Sequence, residues 1–178
     1  LKFALFALGA DGQPTHAVRS GMASGLENGS PALLRWGSEV EHAPPHCDTP
    51  HEWALRALLA RLQQDTATPP LRAIAHRVVH GGSQYHGSAV VDGTLLEHLE
   101  ALCPLAPLHQ PHNLAGVRAT LQVFPGTPQV ACFDTAFHHT IPALHHTWAL
   151  PEALRAQGLR RYRFHGLSYQ GVMQSLHQ

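Results

Sequence analysis

An arginine lies inside an otherwise apolar stretch, "IAHRVVHGG" at residues 74–82. In a β-strand successive side chains alternate between faces, so Arg77 and Val79 share one face while Val78 and His80 share the other. A guanidinium beside a small apolar side chain can hold the carboxylate of a short carboxylic acid while the apolar group encloses its alkyl tail. The alternative is a structural arginine that pairs with an acid of the protein.

Two further pairs combine an apolar side chain with a proton-bearing one: Leu108 with His109, and Phe164 with His165. Both pairs fall in proline-rich or glycine-flanked segments, and loops of this kind often display functional groups. Taken with Arg77 and Val79, they predict a small apolar pocket with a polar opening, suited to a short carboxylic acid.

Asp134 and Glu152 are the only acids in residues 101–178, and Asp134 follows the strand-like run "QVACF". Open α/β sheets place ligand-binding groups at the carboxyl ends of their strands. An aspartate at such a position can bind a metal, orient a water or a nucleophile, or cap the next turn. The residue alone leaves these three roles open.

Composition excludes several classes of protein. Lysine and arginine total 12, as do aspartate and glutamate, so no net charge points to nucleic acid or to a membrane surface. No apolar run reaches the roughly 20 residues of a membrane span. Three widely spaced cysteines without a CxxC pair indicate reduced thiols and a cytoplasmic protein.

Histidine is abundant, with sixteen residues, so a metal site has to be considered. Zinc sites need ligands at helical or hairpin spacing, whereas His138-His139 and His145-His146 are adjacent and their side chains diverge. We therefore predict no dedicated metal site, and a histidine-rich metal binder remains an alternative.

The remaining sequence predicts alternating strands and helices. The first part has strands at 1–8, 15–21 and 32–36, a loop at 38–50 and a helix at 50–64 capped by Thr49. The second part has strands at 74–82, 89–92 and 128–135 and helices at 93–102, 114–124 (capped by Asn113), 151–157 and after residue 165. This order predicts an α/β fold with a mixed sheet.

The chain resembles the acetate and propionate kinase family. The segments "LKFALF", "HRVVHGG", "PLAPLHQPHNLAG", "ACFDTAFHHTIP" and "RYRFHGLSYQ" carry the resemblance in the family's order. The family implies a ribonuclease-H-like fold, shared with sugar kinases, Hsp70 and actin. It also implies reversible transfer of the ATP γ-phosphoryl group to acetate with Mg²⁺, giving acetyl phosphate and ADP.

The resemblance also implies roles for individual residues. Arg77 would hold the carboxylate, His165 would donate to the transferring phosphoryl group and Asp134 would lie near the metal and its waters. His109 would make a secondary polar contact, and Lys2 would contact ATP. The pocket for the methyl group would be lined by Val79, Leu108 and Phe164.

The chain departs from the family pattern in extent. The asparagine-containing loop that precedes "LKFAL" in the family and the family's C-terminal half, with its adenosine site, lie outside this sequence. Leu167 and Tyr169 replace a threonine and a histidine found in many members. We therefore expect a first domain at 1–138 without its first strand, and the truncated start of a second domain at 139–178.

This extent affects the expected activity. We predict that the chain alone is inactive and that the full-length protein is a cytoplasmic homodimer. A non-catalytic remnant that acts only through binding is the alternative function.

Overall fold

The structure is a computed structural model that describes residues 1–26, 31–65 and 70–177. It contains two compact units, Leu1–Pro69 and Pro70–Gln178. This division follows packing within the chain, and the domain boundary expected near residue 138 stays a prediction.

The first unit contains a four-stranded antiparallel sheet in the order β1-β2-β3-β4. Its strands are β1 (Lys2–Leu8), β2 (Pro14–Ser24), β3 (Leu33–Trp36) and β4 (Glu39–His42). The first two predicted strands pair as a hairpin, and Gly12 supplies the positive φ of 76° that the turn requires. β4 was missed, because residues 38–50 were predicted to be a loop.

A long helix packs on this sheet. α1 (Pro50–Gln64) has the predicted bounds, with proline in its first turn. Leu58 and Ala54 of α1 share a buried core with Leu34 and Trp36 of β3. The predicted capping bond is absent, because Thr49 occupies the N-cap position but its side chain makes no capping hydrogen bond.

The second unit contains a three-stranded mixed sheet in the order β5-β7-β6. β5 (Ile74–Val78) runs parallel to β7 (Gln129–Phe133), and β6 (Ala89–Val90) runs antiparallel to β7. The predicted α/β class with a mixed sheet is confirmed. Because β5 and β7 are parallel and in register, the residues that follow them emerge at the same edge of the sheet.

Helices surround this sheet. They are α2 (Gly93–Ala101), α3 (Gln110–Val123), α4 (Ala143–His146), α5 (Glu152–Arg155) and α6 (Gly166–Leu176), with 3-10 turns at Cys103–Leu105 and Ala136–Thr140. The core joins Leu95 and Leu99 of α2 and Leu114 of α3 to Val78 and Phe133 of the sheet. Among the described residues, no helix has the length and apolar character needed to cross a membrane.

The predicted capping role of Asn113 is wrong. α3 begins four residues before the predicted start, at Gln110, with His109 at the N-cap position. Asn113 therefore lies inside the first turn, and its side-chain oxygen accepts a hydrogen bond from the backbone N–H of Val79 at 3.0 Å.

Candidate active site

Arg77 and Asp134 meet where β5 and β7 end. The register pairs Val78 with Phe133, and the Asp134 backbone N–H donates to the Val78 carbonyl at 3.1 Å. The Arg77 side chain reaches across this edge. Its Nε donates to Asp134 Oδ1 at 3.0 Å and its Nη2 to Oδ2 at 2.8 Å, which makes a bidentate ion pair.

The two partners differ in exposure. The Asp134 side chain is only 4% exposed, whereas that of Arg77 is 55% exposed. A buried carboxylate needs such compensation, because an unpaired buried charge is strongly unfavourable. The hydrogen bond to Asp134 raises the pKa of Arg77, so this guanidinium stays charged.

One edge of Arg77 remains open. Asp134 occupies the Nε and Nη2 side of the guanidinium, and Nη1 makes no hydrogen bond to any residue that the structure describes. The structural reading of Arg77 is therefore present, because the residue is paired with an acid of the protein. Its role in holding a carboxylate stays a prediction.

His165 adjoins this edge. Its Nδ1 lies 3.4 Å from Arg77 Nη2. A guanidinium has no acceptor, so Nδ1 accepts in this contact and the N–H of the ring is then on Nε2. The N–H of the imidazole then faces away from Arg77, where it can donate to a bound group.

The backbone of His165 is left-handed, with φ 58° and ψ 20°. Such a conformation costs roughly 1–3 kcal/mol in a non-glycine residue, and residues of this kind cluster at active sites. The next residue secures it: the Gly166 N–H donates to the Asp134 carbonyl at 2.9 Å. A Cβ on Gly166 would lie 2.3 Å from that oxygen, so only glycine permits this approach.

Three side chains hold the loop that follows β5. Besides Asn113, the Gln110 side chain accepts from the His80 N–H at 3.2 Å and donates to the His80 carbonyl at 3.0 Å. Thr135 Oγ1 accepts from the Gly81 N–H at 3.1 Å. No sequence pattern predicted a role for Gln110, Thr135 or Gly166. A glutamine next to a proline carries no signal for a fully buried bridge.

His80 is part of the same support. Its ring is buried, accepts from the Gly82 N–H at 2.9 Å and packs edge-on against Tyr162, with 4.4 Å between ring centroids. Burial lowers the pKa of His80, and the nearby His98 lowers it further. A neutral His80 is required here, because a protonated Nδ1 would face the Gly82 N–H.

The other predicted site residues make no hydrogen bond to Arg77 or Asp134 among the described residues. Phe164 is half-buried with its ring 5.7 Å from that of His80, and Val79 is also half-buried. Leu108 is 79% exposed, and His109 is exposed at the start of α3. Lys2 is exposed at the start of β1 in the first unit. The apolar pocket around Val79, Leu108 and Phe164 therefore stays a prediction.

The described residues fit Mg²⁺ only in part. They contain no group of three or more histidine, cysteine, aspartate or glutamate side chains that could hold a metal ion. Mg²⁺ bound to a nucleotide needs only one or two protein carboxylates, because the phosphates and waters complete its shell. Within the described ranges, Asp134 is the one carboxylate at this site.

Comparison with known proteins decides the family. The profile of the Acetokinase family matches residues 1–178. The chain belongs to the acetokinase family. The predicted resemblance is thereby confirmed along the whole sequence.

Relatives within the acetokinase family are about twice as long as this chain. An acetate kinase from Methylocella silvestris is 38% identical over 191 residues, which cover 100% of this chain and 46% of that protein. An acetate kinase from Pseudomonas aeruginosa is 41% identical over 97% of this chain and 43% of its own length. The chain therefore spans about half the length of these relatives.

Solved structures from the family share the fold. A propionate kinase from Francisella tularensis superposes with a TM-score of 0.77 and 31% identity, over 98% of this chain and 44% of that protein. An acetate kinase from Entamoeba histolytica gives a TM-score of 0.72 and 31% identity, over 90% of this chain and 40% of that one. The expected fold of acetate and propionate kinases is confirmed.

Proposed function

We propose that this chain supplies the carboxylate-binding part of an acetate kinase, which transfers the γ-phosphoryl group of ATP to acetate or another short carboxylic acid. The observation that carries the proposal is the arrangement of Arg77, Asp134 and His165 within a chain of the acetokinase family. The products would be acetyl phosphate and ADP.

Arg77 would bind the carboxylate through its open edge. Asp134 already occupies the other edge and prevents the guanidinium from rotating. Because the Arg77 guanidinium is already oriented, it loses less side-chain entropy when the ligand binds. Bidentate pairing with the ligand would direct one carboxylate oxygen toward the phosphoryl donor. Val79, Leu108 and Phe164 would enclose the alkyl group.

His165 would act on the phosphoryl group in transfer. Phosphoryl transfer depends on alignment and on neutralising the charge of the equatorial oxygens. A neutral His165 with its proton on Nε2 is a suitable donor, and Arg77 beside it adds positive charge. His109 would make a secondary polar contact.

ATP and Mg²⁺ complete the proposal. When bound, Mg²⁺ supplies charge neutralisation on the phosphates, and Asp134 would be the carboxylate that this chain offers to its shell. Lys2 would contact the nucleotide. Location in the cytoplasm and assembly into a homodimer remain predictions.

The proposal is tested by trapping the product. The chain is incubated with ATP, Mg²⁺ and acetate, alone and together with the remaining portion of the Methylocella silvestris enzyme, and acyl phosphate is captured with hydroxylamine. We expect no product from the chain alone, since both portions are needed to align the two substrates and to stabilise the charge of the transferring phosphoryl group. We expect product from the mixture, and a strong reduction with Arg77→Ala.

Other outcomes support the alternatives. Acetate binding without acyl phosphate from the mixture would favour a remnant that acts only through binding. Product formation that is unaffected by Arg77→Ala would place the carboxylate elsewhere and overturn the proposed site.

A further inference from the structure

A polar concavity lies in the Pro70–Gln178 unit, apart from the Arg77–Asp134 pair. This cleft of about 290 Å³ is bordered by the Gly82–His86 loop, the 3-10 turn at Ala136–Thr140 and the segment at Arg160–Arg163. Neither Arg77, Asp134 nor His165 lines it. We call it the basic cleft, and the inference drawn from it does not rest on the function proposed above.

The lining of the basic cleft is cationic. Among the residues that the structure describes, thirteen line the cleft, and they include three arginines and four histidines but no aspartate or glutamate. The arginines are Arg160, Arg161 and Arg163. Within the described ranges, none of the three forms an ion pair with an acid. Three like charges that converge without a counter-charge repel one another, so an anion at this place would stabilise the fold.

Aromatic rings position two of these guanidinium groups. Arg160 lies 5.3 Å from the centroid of Tyr162, and Arg161 lies 4.4 Å from that of Trp148. Stacking of this kind holds the plane of an arginine while its N–H edges stay available for hydrogen bonds. Segment 160–163 is also tied down by the Arg161 N–H, which donates to the His146 carbonyl at 2.8 Å.

Two buried nitrogens in the lining have no partner among the described residues: Nε of Arg160 and Nδ1 of His146. Nε of arginine is always a donor. A buried donor without an acceptor is unfavourable, and native proteins rarely leave one unpaired. An oxyanion in the cleft would supply an acceptor to the Arg160 guanidinium.

We propose that the basic cleft binds a small phosphate-bearing anion. Phosphate offers several acceptor oxygens and matches the fork of arginine. The cleft is at the lower end of ligand-pocket volumes, near 300 Å³, which suits a small anion better than a nucleic acid strand. His138 closes one side and is oriented by its Nε2, which donates to the Phe164 carbonyl at 3.0 Å.

The test is a titration of the 178-residue chain with inorganic phosphate at constant ionic strength, followed by calorimetry. We expect saturable binding at one site. Arg160→Gln should weaken it about tenfold or more, because one charge-assisted hydrogen bond is lost. Arg161→Gln should weaken it in the same direction, while Arg72→Gln, at an exposed arginine outside the lining, should leave the affinity unchanged.

Ring signals of the histidines provide a second readout in the unmodified chain. Phosphate should shift the NMR signals of His146 and His138 at lower concentrations than those of His165. The absence of saturable binding would overturn the proposal. So would binding that Arg77→Gln abolishes and Arg160→Gln does not change, because phosphate would then occupy the candidate active site.

Discussion

Asp134 accepts from both Nε and Nη2 of Arg77, at 3.0 and 2.8 Å, across the carboxyl ends of two parallel strands. The carboxylate is buried and the guanidinium is half-exposed. The pair therefore both completes the fold and orients the cation toward solvent, where a ligand carboxylate can approach it.

Loss of Arg77 should destabilise the chain through the carboxylate that remains. We expect Arg77→Met to lower the free energy of unfolding by roughly 1–3 kcal/mol, because Asp134 stays buried without its partner. The double variant with Asp134→Ala should cost less than the sum of the single changes. Urea unfolding of the four chains measures the coupling.

Arg118 provides the control for this comparison of single and double variants. It pairs with Glu100, and both side chains are exposed. Exposed pairs contribute about 0–1 kcal/mol, so Arg118→Met should have little effect. Additive changes at Arg77 and Asp134 would show that their ion pair does not stabilise the fold.

Gly166 should not tolerate a side chain. A Cβ there would meet the Asp134 carbonyl, a backbone atom that cannot move aside cheaply, so Gly166→Ala should lower the unfolding free energy by about 1–3 kcal/mol. Gly171 lies in the same helix, α6, with open space around it. Gly171→Ala should therefore raise stability by up to about 1 kcal/mol. Equal effects in urea unfolding would disprove the close approach.

His165 should act on kcat. If it donates only to the phosphoryl group in transfer, His165→Ala should reduce kcat by about 10²–10³, as loss of one such donor does elsewhere. The KM for acetate should change little, which is the pattern of an interaction made in the transition state. Steady-state kinetics on the mixture with the remaining portion of the Methylocella silvestris enzyme measures both. A change confined to KM would instead make His165 a binding residue.

Stability should fall in mild acid. Burial lowers the pKa of His76 and His80 in the folded chain. Between the two pKa values the unfolded chain therefore binds more protons than the folded chain. The stability that the neutral histidines contribute is fully present above the unfolded pKa of about 6.5, and it is lost as the pH falls through their lower pKa values in the folded chain. His80→Asn keeps an acceptor for the Gly82 N–H without a titrating ring.

Urea unfolding between pH 8 and pH 5 checks this expectation. The profile of His80→Asn should be flatter than that of the unmodified chain, and His145→Asn, at an exposed position, should leave the slope unchanged. An identical slope for His80→Asn would show that His80 does not contribute to the acid sensitivity.

The sequence predicted helix positions best where several local features indicated the same bounds. Pro50 at the start of α1 and its apolar stripe placed that helix at the observed bounds. β4 was missed because Glu39 and Glu41 give it no apolar alternation. Its position depends on pairing with β3 and on ion pairs from Arg61, which are tertiary interactions.

At the candidate site, too, local sequence patterns did not predict the tertiary contacts. The motifs placed Arg77 and His165 in one predicted pocket and identified Asp134 separately. The contacts among the three residues follow from the parallel pairing of β5 and β7 and from the turn at Gly166. Asn113 has the residue type of a helix cap, yet its side chain is used to hold Val79. A local pattern cannot show which distant backbone group a side chain will meet.

The most direct test of the carboxylate site is an NMR titration of the arginine side-chain Nε–H signals with acetate. The Nε–H of Arg77 should be observable, because it is held by the buried Asp134. We expect acetate and propionate to shift this signal saturably, while the signal of Arg118 stays constant. An Arg77 signal that does not move at any acetate concentration, in a chain that is otherwise folded, would contradict the proposed carboxylate site.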